Sequence, residues 1–162
     1  MKNKLTQITL GTFVIAIAIF GGSQLLVSGQ EKGRSHLRDL VGTWHTSVTP
    51  RDCATGLPIP IPPFPGILTF NQGGTMTGTS SAVSSTFGIW RAERGWSEYS
   101  FKSVSFRYDP AGTILGTRTI MQHVTLEEEG VAFSSTGAFE DADLNGGIVA
   151  TGCTTATGSR LE

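Results

Sequence analysis

Turn signals at short intervals divide residues 40–160 into eight strand-like runs, with no convincing helix between them. Gly73-Gly74 and Asn145-Gly146 are typical of two-residue hairpin turns. The eight runs are 40–49, 67–72, 75–81, 87–93, 98–108, 113–127, 131–140 and 148–160. Short connections favour an antiparallel meander, and a meander of this length usually closes because closure removes the exposed sheet edges. The sequence therefore predicts an all-β fold, a single eight-stranded antiparallel up-and-down barrel.

The two ends of this strand pattern carry a tryptophan and an arginine. Trp44 lies in the first run, within Gly42-Thr43-Trp44, and Arg160 closes the last run. In a closed barrel with an even number of strands, the first and last strands are antiparallel neighbours. A register that places Arg160 opposite Trp44 lets the two side chains close one end of the barrel.

The same register brings the two cysteines close together. If Trp44 lies opposite Arg160, Cys53 is only two positions away from the residue directly opposite Cys153. An isolated cysteine pair in an exported protein most often forms a disulfide. The loop that this bond closes is long, and in the chain-entropy model the bond is worth about 4–5 kcal/mol. A redox-active pair is the alternative, but the sequence has no Cys-x-x-Cys motif.

Residues 1–29 have the features of a signal peptide. Lys2 and Lys4 form a positive start, residues 8–20 are apolar, and small residues precede a cleavage site before Gln30. An uncleaved membrane anchor is the alternative. We interpret residues 30–39 as a linker with a short N-terminal turn and residues 40–162 as the barrel domain. A secreted or periplasmic location, with no membrane span after cleavage, is therefore expected.

A proline-rich, apolar stretch follows the first strand. Six of the seven prolines lie between Pro50 and Pro65. Proline fixes the backbone in an extended form, and the same stretch carries Leu57, Ile59 and Ile61. An apolar loop has to cover or bind something. We expect the loop at residues 57–65 to act as a lid over the barrel mouth.

Aromatic residues on the middle strands are candidates for lining a cavity. An eight-stranded barrel is just wide enough to be filled by side chains or to hold one small ligand. A β-bulge near Ser103 is expected, because the apolar pattern of its strand changes parity there. The predicted ligand-binding residues are Trp90, Tyr99, Phe101, Phe106 and Tyr108, with Ile61 and Phe64 from the loop. The three strand arginines, Arg91, Arg107 and Arg118, are expected to face solvent.

Charge and motifs exclude several other classes of function. The net charge is −1, so there is no basic excess to bind nucleic acid. The three histidines have no metal-ligand spacing, and catalytic and cofactor-binding motifs are absent. Residues 141–146 match the first half of a calcium loop, but Gly152 replaces its closing glutamate. We therefore interpret this segment as a hairpin turn and assign no catalytic residue, metal or cofactor.

Four segments of the chain carry a resemblance to known proteins. The Gly42-Thr43-Trp44 entry and Arg160 resemble the pattern of lipocalins and the wider calycin group, in which the tryptophan plugs the closed end beneath the arginine. The chain as a whole resembles an uncharacterised family of secreted bacterial proteins. That likeness is carried by residues 42–53, 64–70, 72–75 and 151–160. It implies a lipocalin-like barrel and implies no activity.

These features favour a secreted barrel that binds a small apolar ligand in its mouth. One alternative is a barrel-type cyclase or isomerase, which requires polar residues inside; His123 and Glu93 are the first candidates. Another alternative is a cell-envelope module with a filled barrel that docks a protein partner through the loop at 57–65. A membrane-spanning barrel is disfavoured, because both strand faces are rich in serine and threonine and no aromatic girdles are visible. The sequence leaves the oligomeric state open.

Overall fold

The structure, a computed structural model, describes residues 39–127 and 129–161. The predicted signal peptide at 1–29 and the predicted linker, apart from Asp39, lie outside the described residues. Within the described part the secondary structure is entirely strand, turn and loop. This part of the chain accordingly has no helix with the length and apolar character needed to cross a membrane.

Eight antiparallel strands form one closed up-and-down barrel, as the sequence predicts. The strands are β1 (Gly42–Arg51), β2 (Phe64–Phe70), β3 (Thr75–Ser80), β4 (Val83–Ala92), β5 (Glu98–Tyr108), β6 (Ile114–Leu126), β7 (Ala132–Ala142) and β8 (Ile148–Arg160). Each strand pairs with its neighbour in the chain, and β1 pairs with β8 to close the sheet. β1 and β2 extend through Pro50 and Pro65 respectively. Both prolines lie close to the strand ends at the barrel rim, where a missing N–H donor is tolerated.

The β1–β8 pair is the seam of the barrel, and it has the register expected from the sequence. Trp44 lies opposite Arg160, and Arg51 lies opposite Cys153. Cys53, two residues beyond the end of β1, forms a disulfide with Cys153 at a Cα–Cα distance of 5.2 Å. The predicted disulfide is therefore confirmed, and it fastens the loop after β1 to β8.

The end of the barrel that holds Trp44, called here the closed end, is packed solid. Trp44 is fully buried, and its ring centroid lies 5.0 Å from that of Phe133. Its indole Nε1 donates a hydrogen bond to the carbonyl of Leu40 at 3.0 Å. The buried apolar core contains Leu40, Trp44, Phe70, Met76, Tyr99, Phe101, Val124, Leu126 and Phe133. Nearly all of this core lies toward the closed end, and the opposite end, called here the mouth, is built differently.

Arg160 covers Trp44 and fastens the chain that enters β1. Its guanidinium carbon lies 4.3 Å from the centre of the Trp44 ring system. The guanidinium donates hydrogen bonds to the carbonyls of Asp39, Val41 and Gly130 at 2.7, 2.6 and 2.9 Å. Burial lowers the pKa of Arg160, and the nearby carboxylate of Asp39 opposes that shift. The arginine therefore connects three separate segments at the closed end while remaining charged.

The predicted bulge near Ser103 is wrong. β5 pairs without interruption from Glu98 to Arg107, and the register shifts only at the mouth, between Arg107 and Tyr108. Opposite this shift Gly116 has a φ of 142°, and a Cβ there would overlap the carbonyl of Ala142. The apolar pattern changes parity without a bulge, because Tyr99 and Phe101 are buried inside the barrel whereas Val104 and Phe106 lie on its outer face.

Candidate functional site

A cavity of about 600 Å³ occupies the mouth half of the barrel interior. Its floor is formed by Leu68, Phe101 and Phe133, which also contact the closed-end core. The side walls include apolar residues, among them Val48 and Ile120. The volume lies within the range of about 300–1,000 Å³ that is typical of small-molecule sites. The barrel is therefore filled at one end and hollow at the other.

Glycines on β8 let two large aromatic rings lie flat against the wall. A Cβ at Gly152 would overlap the ring of Phe139, and a Cβ at Gly158 would overlap the ring of Phe133. Each ring therefore rests on the backbone of the neighbouring strand instead of extending across the barrel. Together with the small side chain of Ala156, this arrangement leaves the centre of the mouth half free.

Buried polar side chains line the middle of the cavity. They are Thr46, Thr86, Ser103, Gln122 and Ser135. Gln122 is only 7% exposed, and its Nε2 donates a hydrogen bond to Thr154 Oγ1 at 2.7 Å. Among the described residues, Gln122 Oε1 has no hydrogen-bond partner. The other surfaces of the cavity are mainly apolar, and the Gln122 amide leaves one acceptor unused.

An ion-pair cluster lies on the inner face near the mouth. Arg118 donates two hydrogen bonds to the buried carboxylate of Asp141, at 2.7 and 2.9 Å. Arg107 Nε lies 3.2 Å from Oδ2 of the same carboxylate. The guanidinium of Arg118 stacks on Phe139 at 4.4 Å. Two guanidinium groups share one carboxylate, so the cluster keeps one positive charge.

This placement corrects the expectation for two of the three strand arginines. Arg107 and Arg118 lie on the inner face, where Asp141 neutralises part of their charge. Arg91 alone faces solvent as expected, with its side chain 77% exposed. Asp141 lies within β7, which continues to Ala142, and not in the hairpin turn predicted for residues 141–146.

The loop after β1 forms the rim of the mouth; residues 52–63 are called here the mouth loop. Ile59 and Ile61 from this loop line the cavity, together with Phe64 at the start of β2. A bridge between Arg51 and Pro58 returns the loop to the end of β1. Apolar side chains at the rim therefore border the entrance.

Asp52 stabilises the first turn of the mouth loop. Its Oδ1 accepts hydrogen bonds from the backbone N–H groups of Ala54 and Thr55, at 3.0 and 2.8 Å, and from the Thr55 hydroxyl at 2.9 Å. These bonds, chiefly the one from the Thr55 backbone, lower the pKa of Asp52. The loop is thus held at its base by this turn and by the disulfide at Cys53.

Three of the seven predicted ligand-binding residues line the cavity: Phe101, Ile61 and Phe64. Trp90 and Tyr99 instead pack toward the closed end, with ring centroids 5.8 Å apart. Trp90 Nε1 donates to the carbonyl of Asn71 at 2.9 Å. Burial raises the pKa of Tyr99, and the negative charge of Asp39 adds to that shift. Both aromatic residues support the wall of the barrel below the cavity.

Phe106 and Tyr108 lie outside the barrel, which corrects the prediction for these two residues. They are 58% and 47% exposed, whereas Ser103 and Ser105, the alternate positions of β5, are buried. The error follows from assigning apolar side chains to the interior. On this part of β5 the inward positions are serines, and the aromatic side chains face outward.

The residues considered for a catalytic alternative also lie on the outer surface. His123 Nε2 is 2.7 Å from Glu98 Oε2, and the His123 side chain is more than half exposed. Glu93 accepts a hydrogen bond from the Ser100 hydroxyl at 2.5 Å and one from Arg91 at 2.9 Å. These two contacts, the one from Ser100 foremost, lower the pKa of Glu93. Neither His123 nor Glu93 is among the residues that line the cavity.

The half-match to a calcium loop is a hairpin turn, as the sequence analysis favoured. Asp143 Oδ1 accepts hydrogen bonds from the backbone N–H groups of Asn145 and Gly147 at 2.9 and 2.8 Å. Gly146 has a φ of 85°, which suits a turn. Within residues 39–127 and 129–161, no group of three or more His, Cys, Asp and Glu side chains is arranged to hold a metal ion.

Gln122 and Arg118 are two polar cavity residues that the sequence analysis did not predict to bind a ligand. Gln122 has the same parity as the apolar residues Ile120 and Val124 of its strand. A strict period-2 reading could therefore have placed Gln122 inside. The same parity places Arg118 inside, but an inward arginine needs a partner, and Asp141 lies 23 residues away in the sequence.

The chain matches no known protein family and no curated protein. Its architecture is a closed eight-stranded antiparallel barrel, and one architecture can support many unrelated functions. What the protein does has to be inferred from the residues that line the cavity.

Proposed function

We propose that the protein is an exported, lipocalin-like barrel that binds one small, largely apolar ligand in its mouth. The observation that carries this proposal is the cavity of about 600 Å³ in the mouth half of the barrel. Its walls and floor are mainly apolar, and Ile59 and Ile61 of the mouth loop border its entrance. Removing an apolar ligand from water into such a site is favourable in proportion to the apolar area buried.

The mouth loop acts in this proposal as a lid that is restrained at its base. The Cys53–Cys153 disulfide and the Arg51–Pro58 bridge hold the first part of the loop against the rim. The segment that carries Ile59 and Ile61 follows these anchors and supplies apolar surface over the entrance. Small movements of this segment would admit a ligand without opening the sheet.

An exported location fits the chemistry of the disulfide and the leader-like N-terminus. Disulfides persist in oxidising compartments and are rare in the reducing cytosol. Residues 1–29 have the charge and apolar pattern of a signal peptide. We therefore place the binding activity in the periplasm or outside the cell.

Native mass spectrometry of the protein tests the proposal directly. The full chain is expressed in a bacterial host with its own N-terminal segment, and the exported protein is purified without organic solvent. We expect a second species heavier by the mass of a lipid or metabolite, either as purified or after incubation with fatty acids and retinoids. A bare mass under all these conditions would favour the module that docks proteins through its loop.

Filling the cavity is expected to abolish binding without unfolding the barrel. Ala156 lines the cavity on β8, so Ala156→Phe places a ring in space that is free in the structure. We expect the bound fraction to fall at least about tenfold, with a change in stability within the usual range of about 1–3 kcal/mol for added core volume. The measurement is ligand occupancy by native mass spectrometry beside denaturant unfolding.

Thr157→Phe is the matched control for this substitution. Thr157 is the next residue on β8, and its side chain is exposed on the outer face. The same ring added there should leave ligand occupancy unchanged. Equal occupancy in folded Ala156→Phe and Thr157→Phe proteins would be incompatible with binding in this cavity.

A barrel-type cyclase or isomerase remains a second candidate, because a charged pair does face the interior. Arg118 lines the cavity and holds the buried carboxylate of Asp141. An enzyme would return its ligand chemically altered, whereas a carrier returns it unchanged. Mass and chromatographic retention of the ligand, recovered after increasing times of incubation, separate the two functions.

A further inference from the structure

Two polar groups on β6 lie at different depths of the cavity. Arg118 lies near the mouth and Gln122 lies deeper, and both line the same cavity. They are four residues apart with the same inward parity, which separates their Cα atoms by about 13 Å along a strand. Ile120 lies between them and is apolar. The inward side chains of β6 are therefore polar, apolar and polar from the rim inward, and Ser103 of β5 lies opposite Ile120.

Gln122 offers a buried acceptor to whatever occupies the inner zone. Its Nε2 is used by Thr154, and its Oε1 has no partner among the described residues although the side chain is more than nine-tenths buried. Buried polar groups are nearly always hydrogen-bonded, because an unpaired one loses its bonds to water without compensation. Neighbouring atoms close Oε1 off from the cavity in this structure, so a ligand hydroxyl would reach it through a rotation of the Gln122 amide.

Arg118 offers donors and charge at the outer zone. The bidentate contact with Asp141 uses Nε and Nη2 of the guanidinium, so Nη1 is directed away from that carboxylate. Arg107 shares the same carboxylate and leaves the cluster with excess positive charge. A carboxylate at the mouth suits this guanidinium and the excess positive charge beside it.

We propose that the ligand is an amphipathic acid with an apolar middle, whose carboxylate binds Arg118 at the mouth and whose far hydroxyl binds Gln122. This inference rests on the proposed function, because it names the chemical class of ligand for the same cavity. The apolar middle of the ligand lies beside Ile120, and its hydroxyl enters first. The two polar contacts fix the direction of the ligand in the barrel.

The inner contact is tested with 10-hydroxydecanoic acid and decanoic acid, which differ only in the terminal hydroxyl. Affinities for the full-chain protein are measured by calorimetry. We expect the hydroxy acid to bind about tenfold more tightly, as for one buried hydrogen bond. In Gln122→Met, a change of similar volume, the preference should vanish or reverse. Since both compounds report on the same protein, a general loss of stability would weaken both and leave their ratio unchanged.

The outer contact is tested with decanoic acid and 1-decanol, which differ in the charged group. Wild-type protein should prefer the acid by about tenfold or more, because bonds to charged groups are stronger than neutral ones. Arg118→Gln should lose this preference, while Arg107 still pairs with Asp141. Arg91→Gln is the matched control, since Arg91 lies on the outer surface and should keep the preference.

The outcomes separate this inference from the proposed function. Binding of all three compounds with equal affinity would overturn two-point recognition and leave a carrier of apolar ligands standing. A preference that persists in Gln122→Met or in Arg118→Gln would overturn the assigned contact. Failure of every compound to bind would overturn both the inference and the proposed function.

Discussion

The double substitution Cys53→Ser and Cys153→Ser is expected to lower the free energy of unfolding by about 4–5 kcal/mol. The disulfide joins residues 100 positions apart, so its loss frees nearly the whole barrel in the unfolded state. In the chain-entropy model, the longer the closed loop, the larger this effect. Denaturant unfolding of the variant beside the oxidised wild type measures the difference.

Reduced wild-type protein is the matched comparison for the unfolding of the double serine variant. Both lack the crosslink, so their midpoints should agree, and both should show a larger change in exposed surface on unfolding than the oxidised protein does. A loss below about 1 kcal/mol in both would show that the unfolded chain gains little freedom, contrary to the model. The secondary structure of the folded state should be the same in all three forms.

Trp44→Ala is expected to cost about 3–5 kcal/mol, the usual range for removing a large buried aromatic side chain. Trp44 is fully buried, contacts Phe133, and carries the guanidinium of Arg160 on its ring. Its removal leaves a cavity in the closed-end core and an arginine without its stacking partner. The free energy of unfolding is measured with urea, following both secondary structure and fluorescence.

Trp96→Ala provides the control for size and residue type. The Trp96 side chain is 55% exposed on the surface, and exposed positions usually change stability by less than about 0.5 kcal/mol. A similar cost for both substitutions would contradict the assignment of Trp44 as the plug of the closed end. A barrel too unstable to fold in the Trp44 variant would be consistent with the upper part of the range.

The parts of the fold that local chemistry determines were predictable. Turn residues mark the hairpins, and an even number of strands makes β1 and β8 antiparallel neighbours, from which the Trp44–Arg160 and Cys53–Cys153 pairs follow. The strand limits at Pro50 and Pro65 were less accurate, because a proline at the rim does not end a strand.

The cavity was harder to predict, because its character depends on contacts between strands. Residue type alone placed Phe106 inside and Arg118 outside, and both assignments were reversed in the barrel. An inward arginine is acceptable here only because Asp141, on the neighbouring strand, pairs with it. Likewise, the free space depends on glycines at Gly152 and Gly158 that accept neighbouring aromatic rings.

The seam between β1 and β8 has a consequence for how the chain reaches its native state. Every other strand pair joins consecutive strands and can form by local zipping, whereas the seam joins the first strand to the last. Contacts of such long sequence separation form slowly, because loop-closure entropy is lost before they are made. The disulfide also cannot form until Cys153 has been synthesised. Until then β1 and the newest strand are open edges that can pair with other chains, so the unfinished barrel is the stage most exposed to aggregation.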